Sequence, residues 1–161
     1  GGANLAKMAE SGDDKAYDFP RPMIHSGDLK FSFSGLKTKV AMTIKESTEA
    51  DYPNIAASFQ RAVIDTLVTK AKRAIKEYKV TSIVIAGGVA ANKLLRQELA
   101  LAMDPLGIRV LYPRPLFCTD NGAMVAYVGH QRLSQNQGRL DYDIQLKARW
   151  PLSQLSESKE Q

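Results

Sequence analysis

The chain has 161 residues, of which 44% are hydrophobic and 24% are charged, and it carries a formal net charge of +5. This balance excludes an intrinsically disordered chain and is typical of one globular domain large enough to bury a core. The basic charge permits binding to a polyanion such as nucleic acid, but many ordinary globular proteins are equally basic.

Two further features of the composition bear on location. The single cysteine, Cys118, excludes an internal disulfide framework and suits a reducing compartment. No apolar run approaches the roughly 20 residues of a membrane-spanning helix, and the N-terminus lacks the pattern of a signal peptide. We therefore expect a cytoplasmic protein with no membrane segment.

Helical and strand patterns alternate through the middle of the chain, which predicts α/β layering. In chain order, the patterns predict a short helix over 3–11, a half-buried strand over 29–35, a helix over 36–47, a long helix over 53–78, a strand over 79–88, a helix over 91–103, a strand over 108–112 and a helix over 121–133. The strand over 79–88 is a continuous apolar, β-branched run, the pattern of a central strand covered on both faces.

The helix over 53–78 has the strongest pattern. Its apolar residues follow the spacing of one buried stripe, namely Ile55, Phe59, Ala62, Val63, Leu67, Ala71, Ala74, Ile75 and Tyr78. Asp51 is expected to cap its first N–H groups, and Pro53 suits its first turn. The more polar positions are interpreted as a solvated basic face rather than a nucleic-acid contact. They are Arg61, Lys70, Lys72, Arg73 and Lys76.

The first candidate site is the Gly87-Gly88 pair, where the apolar strand passes into a helix. Glycine has no side chain to block a ligand, and a new helix presents unpaired N–H groups. Open α/β sheets bind ligands at this edge. Asn92 offers a polar ligand both a donor and an acceptor, although a tight turn with a capping asparagine explains the same residues equally well. The spacing is not the dinucleotide-binding fingerprint.

The second candidate is Asp120, within LFCTDNGAMVAY. It precedes a helix, which favours a helix cap, while a carboxylate ligand for a cation is the alternative. Cys118 has no paired histidine motif, so we expect a structural role for it. His25 and His130 have no metal-ligand spacing to each other. We therefore assign no catalytic residue.

The candidate groups do not amount to a complete active site. The sequence shows no phosphate-gripping glycine loop, no acidic pair with an activating base and no full set of metal ligands. A group-transfer site needs charge-stabilising groups from several elements, and this chain supplies at most two. We therefore expect the remaining groups to come from elsewhere.

Four segments together resemble one known family. They are FSFSGLKT at 31–38, VIAGGVAANKLLR at 84–96, LFCTDNGAMVAY at 116–127 and ARWPL at 148–152. Their order and spacing are similar to the TsaD family, the tRNA adenosine threonylcarbamoyltransferases once labelled glycoproteases. The similarity covers only the C-terminal half of that family's usual length. It implies one lobe of the actin-like, sugar-kinase-like (ASKHA) ATPase fold over 1–152, with a mixed sheet flanked by helices, and a polar tail over 153–161.

The resemblance also implies a function. The family moves a threonylcarbamoyl group from threonylcarbamoyl-adenylate to N6 of the adenosine next to the anticodon, in tRNAs that read codons starting with A. By position, Gly2, Gly87, Gly88 and Asn92 would contact the adenylate or an ATP-type nucleotide. Asp120 would be one ligand of a bound iron or zinc ion. The implied partners are tRNA, a small paralogous subunit and an ATPase of the same system.

The departures from the family are large. The family's metal site also uses two histidines at i and i+4 on one helix, and His25 and His130 do not match that pair. We therefore expect this chain alone to bind metal poorly and to be inactive, as a fragment of the enzyme.

Two alternatives stay open at this point. One is a lobe that docks tRNA or a partner without catalysis, motivated by basic residues at Lys37, Lys39, Lys93, Arg96, Arg114 and Arg149. The other is a related small-molecule kinase of the same fold, which the glycine pair alone would allow.

Overall fold

The computed structural model describes residues 1–135. It contains five α-helices and two strands within that range, in the order α1 Gly2–Ala9, α2 Ser34–Lys45, α3 Tyr52–Tyr78, β1 Ser82–Val84, α4 Lys93–Met103, β2 Arg109–Leu111 and α5 Gly122–Ser134. The chain divides into two compact units, Gly1–Thr119 and Asp120–Gln161. The ARWPL segment and the predicted tail lie outside the described residues, so the predicted boundaries of lobe and tail stay a prediction.

The 27-residue helix α3 is the centre of the first unit. Toward its C-terminal half it packs against α4, in a core built from Ile64, Ile75, Leu95, Leu99 and Met103. Toward its N-terminal half a second core holds Phe19, Leu36, Ile55 and Ala62. Pro53 lies in the first turn as predicted. The helix ends at Tyr78 and is followed by Lys79, whose φ of 52° is left-handed.

The predicted stripe on α3 is right in outline, but it omits some buried apolar residues and includes one exposed residue. Ile64, which the stripe omitted, is 2% exposed, whereas Tyr78 at the end of the helix is 66% exposed.

Asp51 does not cap α3 through its side chain. Its carboxylate instead accepts hydrogen bonds from the N–H and hydroxyl of Thr48, at 3.0 and 2.9 Å. The cap thus stabilises the short 3-10 turn Glu49–Asp51 that precedes α3.

The prediction of a solvated basic face on α3 is wrong for Lys70, which is 1% exposed. Its Nζ donates to the Ser26 hydroxyl at 2.8 Å and to the Asp28 carbonyl at 2.7 Å. Arg73 donates to the carbonyls of Ser26 and Asp28 as well. Hydrogen bonds from Ser26, from the Lys30 backbone and from Lys70 lower the pKa of Asp28. These two cations therefore fix the segment that leads into α2.

Arg61 also lies within a contact network rather than in solvent. It donates to Asp14 at 2.7 Å and to Glu98 of α4 at 2.9 Å, and these hydrogen bonds raise its pKa. Lys72 and Lys76 are exposed as expected. The hydrogen-bond donors of a charged side chain on a polar helix face can thus be paired with other segments of the chain instead of with water.

The predicted strand over 29–35 is wrong, because residues 30–33 adopt no regular structure and α2 begins at Ser34. The alternation that suggested a strand has another cause. The rings of Phe31 and Phe33 stack with their centres 6.2 Å apart, and Phe33 packs against the core around Leu36. No strand lies beside this segment in the described part, so its backbone has no ladder to join.

The sheet of residues 1–135 is parallel rather than mixed, with β1 paired to β2 in the register Ile83 to Val110. The two strands are shorter than predicted. The expectation of a central strand covered on both faces also fails within these residues, because the Val84 side chain is 66% exposed. The architecture is therefore α/β and mostly helical. None of the described helices is long and apolar enough to cross a membrane.

The α3–α4 core should dominate the stability of the first unit. We expect Leu99→Ala to lower the free energy of unfolding by about 2–5 kcal/mol, because Leu99 is 1% exposed and its truncation leaves a cavity. Denaturant unfolding measures this. Leu101→Ala on the same helix is the control, since Leu101 is 71% exposed and its change should stay within about 0.5 kcal/mol. Equal losses in the two variants would contradict this packing.

Candidate nucleotide-binding turn

The Gly87-Gly88 pair lies in a tight connection between β1 and α4. Ile85 still donates to the Leu111 carbonyl at 3.0 Å, so the sheet continues to that residue. Gly87 then has φ 82° and ψ 177°, a conformation that favours glycine. A single 3-10 turn, Gly88–Ala91, follows before α4. The strand-to-helix transition predicted from the sequence is therefore present, with a short turn interposed.

Asn92 anchors the end of this connection. Its Oδ1 accepts a hydrogen bond from the Leu95 N–H at 2.9 Å, which caps α4. Its Nδ2 donates to the Gln60 side chain on α3 at 2.7 Å. The structure therefore confirms the capping interpretation. A ligand contact by Asn92 stays a prediction, and it would compete with these bonds.

The two glycines themselves are exposed. A Cβ added to Gly87 or Gly88 would meet no heavy atom within 4 Å beyond its immediate neighbours. Within the described part of the chain, the N–H groups of Gly87, Gly88 and Val89 donate to no acceptor, while those of Ala90 and Asn92 are paired inside the turn. Three successive unpaired N–H groups beside an open glycine surface can donate to the oxygens of an anionic ligand.

An apolar groove of about 290 Å³ adjoins the turn. Ala86 and Val89 form its edge next to the glycines, and the floor includes Ile83, Leu95 and Leu99. Such a lining can pack against a flat, apolar part of a ligand, but it provides few polar groups to orient that ligand. The turn therefore supplies donors next to an apolar surface.

Gly2, the remaining candidate nucleotide contact, lies at the start of α1 and is exposed. The other end of α1 approaches α4, because Lys93 and Glu10 form an ion pair at 3.8 Å. An α-helix of eight residues is roughly 12 Å long, so Gly2 is separated from that ion pair by the length of α1. The structure thus brings Gly87, Gly88 and Asn92 together in one turn and leaves Gly2 at the far end of α1.

The loop that follows β2 is held by Arg96, a residue that the sequence suggested only for docking tRNA or a partner. The guanidinium lies 4.5 Å above the Tyr112 ring and donates to the Cys118 thiol at 3.7 Å. Burial raises the pKa of Tyr112, and the charge of Arg96 opposes that rise. Cys118 is 2% exposed, consistent with its predicted structural role. Arg96 follows Asn92 by four residues on one helix, a spacing that could have signalled a shared role.

In the second unit, Asp120 precedes α5 but does not cap it. Asn121 is the N-cap, and its side chain accepts a hydrogen bond from the Met124 N–H at 3.0 Å. The favoured interpretation of Asp120 as the helix cap is therefore wrong. Asp120 is exposed. Residues 1–135 contain no group of three His, Cys, Asp or Glu side chains that could hold a metal ion.

The six basic residues considered for tRNA docking differ in their surroundings. Lys37 and Lys39 are exposed and form no ion pair in the described residues. Lys93 is paired with Glu10, and the guanidinium of Arg114 lies 4.9 Å above the Phe117 ring. Arg96 is engaged internally. Arg149 lies outside the described residues.

A parallel strand that leads through an open glycine turn into a helix is a ligand-binding arrangement of α/β proteins. The family model for TsaD, the tRNA N6-adenosine threonylcarbamoyltransferases, matches residues 1–127. The chain belongs to this family. The family implies an actin-like fold, but the match does not bear out the narrower expectation that the chain is only the C-terminal half.

The cap formed by Asn92 can be tested separately from any ligand. We expect Asn92→Ala to lower the free energy of unfolding by about 1 kcal/mol, since the Leu95 N–H loses its acceptor. Asn92→Asp keeps an acceptor and should lose less. Thermal or denaturant unfolding measures both, with Gln97→Ala on the exposed side of α4 as the control. An unchanged stability of Asn92→Ala would contradict the cap.

Proposed function

We propose that the intact protein transfers a threonylcarbamoyl group from threonylcarbamoyl-adenylate to N6 of the adenosine next to the anticodon, in tRNAs that read codons starting with A. The family match over residues 1–127 supports this reaction. The single structural observation that carries it is the exposed Gly87-Gly88 turn with its three unpaired N–H groups. An adenylate offers the phosphate and ribose oxygens that such donors bind.

The reaction defines what the turn would contribute. The N6 amine attacks the carbamoyl carbon and forms the new C–N bond. The bond from that carbon to the phosphate oxygen breaks, AMP leaves, and the amine loses a proton. Negative charge grows on the departing phosphate. We propose that the N–H groups of Gly87, Gly88 and Val89 stabilise this charge or hold the adenylate in place, with Asn92 positioned by its cap at the edge of the turn.

Gly2 is retained as a proposed adenylate contact because of the family resemblance. Its place at the far end of α1 gives no independent support. The same resemblance is the reason for proposing a tRNA partner, a small paralogous subunit and an ATPase partner.

An iron or zinc ion does not fit the described residues by themselves. Asp120 brings one exposed carboxylate, and no cluster of three ligating side chains is present in residues 1–135. We therefore propose Asp120 only as one ligand of a metal whose other ligands lie elsewhere. No step of the reaction above depends on it.

The groups at the turn do not make up a complete catalytic site, which supports the proposal that residues 1–161 alone do not catalyse transfer. The turn could hold the leaving group, but the residues that it brings together, Gly87, Gly88 and Asn92, include no base for the N6 amine. An assay of residues 1–161 with threonylcarbamoyl-adenylate and unmodified tRNA tests this, and transfer above background would contradict it.

Docking of tRNA without catalysis is the second candidate function. Exposed Lys37 and Lys39 on α2, which form no ion pair in the described residues, favour it. Exposed cations without a protein partner can neutralise phosphates and release counterions, as nucleic-acid binding requires.

The turn can be tested by adding one methyl group. Gly88 has no positive φ, and a Cβ there meets nothing within 4 Å, so Gly88→Ala should leave the free energy of unfolding nearly unchanged. In a ligand-contacting turn the methyl group should displace the adenylate and weaken AMP binding about tenfold, as the loss of one hydrogen bond to a charged group would. Titration calorimetry with AMP measures this on the intact protein.

Gly27→Ala is the matched control, because Gly27 is also exposed with open space at its Cβ. It should bind AMP as the unchanged protein does. If Gly88→Ala and Gly27→Ala bind AMP equally well, the turn does not contact the nucleotide.

The docking candidate predicts a steep salt dependence. Filter binding or fluorescence anisotropy with unmodified tRNA should show affinity falling as salt rises, and Lys37→Ala combined with Lys39→Ala should reduce the slope of log K against log salt by about 2. Lys72→Ala, an exposed lysine on α3, is the control. Binding that does not change with salt would contradict docking through these lysines.

A further inference from the structure

The Arg96 side chain joins two segments that are distant in sequence. Its Nε donates to the Ala90 carbonyl at 2.6 Å, inside the turn that follows Gly87. Its Nη2 donates to the Cys118 thiol at 3.7 Å, in the loop after β2. One guanidinium therefore contacts both the glycine turn and the loop that continues to Asp120.

Both contacts are made to buried atoms of the protein. Ala90 is 0% exposed and Cys118 is 2% exposed. Cys118 is in turn placed by its own contacts, since its Sγ lies 3.8 Å from the Pro113 carbonyl and 3.7 Å from the Arg114 carbonyl. If either the turn or the loop moved, Arg96 could not keep its contacts with both Ala90 and Cys118.

The shape of the guanidinium matters as well as its charge. Its Cζ lies over the Tyr112 ring, 4.5 Å from the ring centre, while Nε and Nη2 donate to two different segments. A lysine ammonium is a compact charge and cannot stack on the ring and hold both acceptors at once. Tyr112 directly follows β2, so this cation–π contact places the guanidinium relative to the sheet.

We propose that Arg96 is a positioning residue that couples the Gly87-Gly88 turn to the loop over 113–119. By holding the Ala90 carbonyl, it sets the backbone of the turn whose N–H groups at 87–89 are unpaired. By holding Cys118, it sets the loop. The functional meaning of this coupling rests on the proposed function, because it affects activity only if the turn binds the adenylate.

The coupling has a spectroscopic and a chemical readout that do not need a ligand. In Arg96→Ala, the amide resonances of Gly87 and Gly88 should shift. With rates compared per thiolate, the reacting species, Cys118 should react with a disulfide reagent about tenfold faster than in the unchanged protein, because the loop opens more often once a charged hydrogen bond is lost. Arg109→Ala, at an exposed arginine of β2, is the matched control and should change neither. A lower melting temperature with both readouts unchanged would show a merely structural role and overturn the proposal.

Arg96→Lys keeps the test decisive if Arg96→Ala fails to fold. It preserves the charge but not the planar fork, so Cys118 should still react faster than in the unchanged protein and the glycine resonances should still shift. Resonances and thiol reactivity identical to those of the unchanged protein would overturn the proposal.

Added AMP separates this inference from the proposed function. In the unchanged protein, AMP should alter the reactivity of Cys118 through the turn, and Arg96→Ala should abolish that response. If AMP binds and Cys118 does not respond, the coupling is refuted. If AMP does not bind at all, the proposed function fails, while the ligand-free measurements still decide the role of Arg96.

Discussion

The backbone conformation of Gly87 is the constraint on which the candidate site depends. Ile85 must remain bonded to Leu111 in the sheet, and Ala90, five residues further on, must be buried completely. Within this short distance the chain leaves the sheet and enters the 3-10 turn, with φ 82° at Gly87. A side chain there would be strained, so the residue that permits the turn also leaves its surface open.

The remainder of the first unit holds this turn in place. Leu95 and Leu99 bury α4 against α3, and this packing fixes the direction in which α4 leaves the turn. Asn92 then links the start of α4 to Gln60 on α3, while Arg96 holds the Ala90 carbonyl from the next turn of the helix. The exposed N–H groups thus belong to a short segment whose two ends are both anchored, which is how a rigid scaffold presents a ligand-binding loop.

Helical periodicity could be predicted from the sequence because it reflects burial along one element. The bounds of α3 differ from the prediction by one residue, and the strand–glycine–helix order around Gly87 is present as expected. The strand predicted through Phe31 fails because alternation also arises from two stacked rings, and only a neighbouring strand turns alternation into a ladder. The burial of Lys70 depends on carbonyls more than 40 residues away, which no local pattern contains.

The candidate site, like the fold, could be predicted from the sequence only in part. Asn92 was expected either to cap or to bind, and its cap is now established. Asp120 and Asn121 both suit a cap chemically, and only the backbone decides that Asn121 fills it. Arg96 was considered for its charge alone, because its contacts with Ala90 and Cys118 need the folded loop.

The central claim is that the Gly87-Gly88 turn contacts the adenylate. A crystal structure of the intact protein with a non-hydrolysable analogue of threonylcarbamoyl-adenylate tests it most directly. The account predicts phosphate or ribose oxygens within hydrogen-bonding distance of the N–H groups of Gly87, Gly88 or Val89. An analogue bound elsewhere, with this turn still open to solvent, would contradict it.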